Sequence, residues 1–86
     1  MEYRTRDCII CGRPAEQHHI FFGQPNRKHS EMYGLVVGLC PEHHRGPTGP
    51  HMNRQNDLRL KMMAQADFEK ERTREEFIQI FGRSYL

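Results

Sequence analysis

The chain has 86 residues, of which only 36% are hydrophobic and 28% are charged, with no Trp. That describes one small domain burying too little apolar surface to be secure without a staple, and three cysteines, an odd number, argue against a closed disulfide framework. The charged start MEYRTRDC is unlike a secretory signal, no apolar run approaches a membrane span, and zinc in a soluble cytoplasmic protein is the expected staple.

The net charge is only +2, but it is unevenly spread. Residues 1–54 carry Arg4, Arg6, Arg13, Arg27, Lys28, Arg45 and Arg54 against Glu2, Asp7, Glu16, Glu31 and Glu42. A modest phosphate-binding surface is expected on that half.

In chain order, Cys8-Ile9-Ile10-Cys11-Gly12-Arg13-Pro14 predicts a tight knuckle with two thiolates on one turn. The run His18–Gly23 is short and β-prone. Residues 23–34 read as a polar loop with a basic centre, and Leu35–Leu39 as a second β-prone run, so the two runs are expected to form a hairpin. Pro41 suits the first turn of a helix over 41–45, which Gly46-Pro47-Thr48-Gly49-Pro50 must interrupt. Helix is expected again from about Asn53, a good N-cap, with Leu58, Met62 and Ala66 as its core stripe. A last helix is expected after Thr73, whose spacing to Glu76 fits a capping box; Phe77, Ile78 and Phe81 make its apolar face and Gly82 ends it.

The chemistry lies in the order Cys8-x-x-Cys11, His18-His19, Cys40-x-x-His43-His44, His51. Cys8, Cys11, Cys40 and His43 make one complete tetrahedral set, expected to hold a structural Zn2+ with no open position. His18, His19, His44 and His51 remain. Neighbours on a strand face opposite ways, so His18 and His19 are expected to divide their work, one toward a metal and one toward a substrate. A second ion on two or three imidazoles, with open positions, can polarise a phosphodiester while a free imidazole takes a proton from water. His29 fits no pattern and reads as an exposed loop residue.

The pattern C-x2-C, HHI, LC-x2-HH resembles the HNH endonuclease family, whose ββα-metal fold sets a hairpin and a helix around one catalytic ion. The resemblance implies that His18 binds that ion (Mg2+, Mn2+ or Zn2+), that His19 is the general base, and that His44 is a further ligand. His51 follows at a longer spacing, across the Gly/Pro segment. The implied fold is α+β: a zinc-stapled, treble-clef-like ββα-metal core over 1–54 with a two-helix C-terminal extension over 55–86. The central Asn of that family is missing at Tyr33-Gly34-Leu35, leaving Asn26, Asn53 or a backbone group to orient the base.

The chain resembles more closely still a group of small phage and prophage HNH endonucleases, which look like the nuclease part of RecA-dependent Ref-type nucleases. The shared features are Asn26-Arg27-Lys28, Tyr33-Gly34-Leu35, His43-His44-Arg45-Gly46, His51-x-Asn53 and Ile80-Phe81-Gly82-Arg83-x-Tyr85-Leu86. This implies a DNA endonuclease in a bacterial host cytoplasm, acting in recombination, replication or packaging, with DNA and a recombinase or other replication protein as partners. Arg27, Lys28, Arg45 and Arg54 would contact phosphates. The alternatives are a non-catalytic zinc module binding DNA or protein, or a core stapled by two structural ions.

Overall fold

The computed structural model describes residues 6–86, so the reading of the first five residues lies outside it. The elements run β1 (Glu16–His19), α1 (Asn26–Met32), β2 (Val36–Leu39), α2 (Pro41–Arg45), α3 (Arg54–Phe68) and α4 (Arg74–Phe81). It is a small α+β fold. The two strands pair antiparallel, with Glu16 opposite Leu39 and His19 opposite Val36. Among the described residues no helix is long and apolar enough to cross a membrane.

The expected hairpin forms, but its connection is not a loop. Residues Asn26–Met32 are helical. Sequence NRKHSEM carries no apolar period, so helix is invisible to pattern; tertiary contacts hold it instead. The buried Ser30 hydroxyl donates to the Phe21 carbonyl (2.7 Å) and accepts from the Phe21 N–H (3.1 Å), while the Leu35 N–H donates to the Ser30 carbonyl (2.8 Å). This also explains why β1 stops at His19: the Phe21 backbone groups that would extend the ladder are satisfied by a side chain from α1. His29, expected to be exposed, is half-buried and packs edge-on against Phe81 at 6.0 Å.

Both C-terminal helices start where their caps predict. The Asn53 side chain accepts from the Asn56 N–H at 3.0 Å, and Thr73 with Glu76 forms a full capping box. Gly82 ends α4 at φ 91°, which glycine adopts without a Cβ penalty. The buried face of α3 is not the expected one. Met62 is 44% exposed and Ala66 lies outside, while Asp57, Ala64, Gln65 and Phe68 are buried. Polar residues make that face: Lys61 pairs with Asp57 at 2.7 Å, and the Gln65 carbonyl oxygen accepts from the Tyr85 N–H at 2.6 Å. A hydrophobic period cannot register a buried Asp and Gln that are paired.

The core joins both halves. Phe21, following β1, meets Phe77 and Phe81 of α4 at ring-centroid distances of 5.3 and 4.5 Å, and Phe68 of α3 meets Phe77 at 5.4 Å. Residues 55–86 therefore complete the core rather than extend it. Ile78, expected on the apolar face of α4, is 39% exposed. Truncating the fully buried Phe77 to Ala is expected to cost about 3–5 kcal/mol in a denaturant melt, against less than about 1 kcal/mol for Ile78→Ala.

Candidate metal centres

The knuckle is built by the backbone. Gly12 takes φ 77°, its N–H donates to the Cys8 carbonyl at 2.9 Å, and the Ile9 N–H donates to the Gly38 carbonyl of β2 at 3.0 Å. Those bonds carry Cys8 and Cys11 to the end of β2, where Cys40 leads into α2 and His43. The spacings fit zinc. A tetrahedral ion with bonds of about 2.3 Å to sulfur and 2.0 Å to nitrogen sets its ligands about 3.8 Å (S to S) and 3.5 Å (S to N) apart. Cys11 and Cys40 Sγ atoms are 3.7 Å apart, and His43 Nδ1 is 3.6 Å from Cys8 Sγ and 3.2 Å from Cys40 Sγ. All three cysteines are unpaired by disulfides. Burial works against the Cys8 thiolate, but N–H groups of Cys40, Cys11 and Ile10 outweigh it and bring the thiol down to about 6. The Arg13 guanidinium, 3.2 Å from Cys11 Sγ, lowers that thiol too. The four side chains are thus within reach of one metal ion and match zinc chemistry.

A second group lies on the other side of α2. Successive helical residues point about 100° apart, so His43 turns to the cysteines while His44 turns to β1. His18, His44 and His51 bring one ring nitrogen each to within 4.8 Å of one another. His44 Nε2 and His51 Nε2 are 3.1 Å apart, and the His18 ring lies 5.1 Å from each of the other two rings. The Gly/Pro segment makes the long spacing work. Met52 and Asn53 N–H groups donate to the Gly49 carbonyl at 3.0 and 2.7 Å, folding the chain back so that His51 meets His44. A Cβ on Gly49 would run into the His43 and His44 carbonyls, so only glycine fits that close approach.

Burial and crowding by neighbouring basic groups favour the neutral form of His18 and His51. His18 is 2% exposed and its Nε2 is buried with no hydrogen-bond partner. Burial, then the nearby His44 and His51, push His18 down to about 3; burial and His44 also lower His51. Neutral imidazoles are the form a metal binds. Glu16 accepts from His44 Nδ1 at 2.9 Å, which leaves Nε2 as the nitrogen with a lone pair. That bond, with help from Arg45, holds the Glu16 carboxyl below the usual carboxylate range. Glu16 was readable in principle, being two residues before His18 on the same face of the strand.

His18 and His19 alternate along β1, and both line an open cavity of about 260 Å³ with Gln17, Phe22, Arg27, His44 and His51. His19 Nε2 lies 2.9 Å from Glu31 Oε1 of α1. Neither Asn26 nor Asn53 is the partner: Asn26 opens α1, and the Asn53 side chain is used in its cap. Of the basic residues expected to meet phosphate, Arg27 borders the cavity. Lys28 and Arg54 are exposed, and Arg45 clamps Glu16 through two guanidinium nitrogens. Against known proteins, no family model, curated protein or solved structure matches this chain.

Proposed function

We propose that this chain is a metal-dependent DNA endonuclease of the HNH type, stapled by zinc on Cys8, Cys11, Cys40 and His43. The observation that carries the reading is the convergence of His18, His44 and His51 on a cavity that also presents His19 and Arg27. These three imidazoles would hold a divalent ion, with open positions that supply Lewis-acid polarisation of a phosphodiester and stabilisation of its leaving oxygen. Nitrogen ligands favour zinc and other transition metals over Mg2+, which prefers oxygen.

The protein groups do the rest. His19 takes a proton from water as the water oxygen bonds to phosphorus; the ester P–O bond breaks and the departing oxygen is protonated from solvent. Arg27 holds a phosphate oxygen at the cavity edge, and Lys28 and Arg54 extend the track along the backbone. The sequence resemblance to small phage and prophage nucleases supports DNA as substrate, a bacterial host cytoplasm as setting and a recombinase as partner.

The test is nicking of supercoiled plasmid by zinc-loaded protein with added Mg2+, Mn2+, Zn2+ or EDTA. Metal-dependent conversion to open circles is expected. Folded protein that cuts neither duplex nor single-stranded DNA under any of these ions sinks the reading. Arg27→Ala is expected to weaken DNA binding alike across sequences and to reduce the slope of log K against log salt by about 1, read by fluorescence anisotropy.

A further inference from the structure

A general base needs a third group to orient it, and the chain lacks the Asn that the resemblance would put there. The geometry points to a replacement: we propose that Glu31 is the positioning residue for His19, accepting a hydrogen bond from His19 Nε2–H and so leaving Nδ1 as the nitrogen that receives the proton from water. This inference rests on the endonuclease reading for the role of His19, but the pairing itself can be tested apart from it.

Three observations carry it. First, His19 Nε2 and Glu31 Oε1 are 2.9 Å apart, within the range of a charge-assisted hydrogen bond. A carboxylate only accepts, so the ring nitrogen facing it must carry the proton, and a neutral ring then has its lone pair on Nδ1. Second, the imidazole is 9% exposed while the carboxylate is 61% exposed. The histidine is held in the wall and the glutamate reaches it from the solvent side, so Glu31 contributes little to the core.

Third, the backbone under Glu31 is anchored. Its neighbour Ser30 is fixed by hydroxyl bonds to both backbone groups of Phe21 and by its carbonyl to the Leu35 N–H. Phe21 lies two residues beyond His19 and Leu35 just before β2, so α1 is tied to the chain on both sides of the base. The same device serves the other histidine site, where Glu16 accepts from His44 Nδ1 at 2.9 Å. Each carboxylate thereby selects which nitrogen of its imidazole is left for chemistry.

The experiment combines long-range ¹H–¹⁵N spectra of zinc-loaded protein with plasmid-nicking kinetics for wild type, Glu31→Ala and Glu31→Gln. In wild type the His19 ring is expected as the Nε2–H tautomer alone. Glu31→Ala is expected to show mixed tautomers and a kcat lower by about 10- to 100-fold with KM unchanged. Glu31→Gln, whose amide oxygen still accepts, is expected to keep the tautomer and recover part of the rate. An unchanged His19 tautomer in Glu31→Ala overturns the proposal, as does a loss confined to KM. The spectra need no cleavage. Wild-type protein that cuts no DNA therefore defeats the endonuclease reading, while the tautomer still decides the pairing.

Discussion

Removing the metal ion that Cys8, Cys11, Cys40 and His43 are placed to hold is expected to unfold the whole domain rather than loosen one corner of it. Cys40 is 2% exposed and sits between the end of β2 and the start of α2, so the cluster joins the knuckle, the sheet and the helix that carries both His43 and His44. The apolar core beneath is small, built from four Phe rings and a few aliphatic residues. Zinc bound to such a ligand set supplies roughly 10–16 kcal/mol of apparent free energy. A small domain holds about 5–15 kcal/mol in total. Loss of the metal therefore removes as much as the fold has. Cys40→Ser should express as a chain without cooperative thermal unfolding, and a strong chelator should collapse the helical circular dichroism of wild type, with recovery on adding zinc back. A chelated protein that still melts cooperatively at the wild-type temperature would show the cluster to be ornamental.

What could be read in advance depended on whether the controlling interaction was local. Two ligands on one turn are a local event, so Cys8-x-x-Cys11 and Cys40-x-x-His43 revealed the first cluster completely. Caps are local too: Asn53 and Thr73 mark the starts of α3 and α4. By contrast α1 exists because Ser30 bonds Phe21, nine residues away, and no periodicity in NRKHSEM announces that. The phase of α3 differs from the hydrophobic stripe because its inner face holds Asp57 and Gln65, whose bonds to Lys61 and the Tyr85 N–H offset part of the cost of burial. The two carboxylates that hold the histidines are also long-range: Glu31 is 12 residues from His19, and Glu16 is 28 from His44. Spacing announces which residues bind; it does not announce which residues aim them.

On the proposed endonuclease reading, replacing His19 and replacing His44 are expected to slow cleavage for different reasons, and metal content separates them. His44 is the hub of the histidine group, with Nδ1 on Glu16 at 2.9 Å and Nε2 on His51 at 3.1 Å. His44→Ala removes one of three ligands and leaves His18, already buried without a hydrogen-bond partner at Nε2, to hold an ion with His51 alone. Equilibrium dialysis should fall from two bound metal equivalents per chain to one, and nicking should vanish with the second ion. His19 is no member of that group. His19→Ala should keep both metals and the wild-type affinity for DNA, yet lose about 10²- to 10⁴-fold in rate, the usual worth of a positioned base. Two metals retained by His44→Ala would remove the histidine group from metal binding. Full activity in His19→Ala would move the proton to another acceptor. Because His18 and His19 are adjacent on one strand, a purely structural disturbance of β1 would strike metal content and rate together. A rate lost while both metals stay therefore belongs to the imidazole itself.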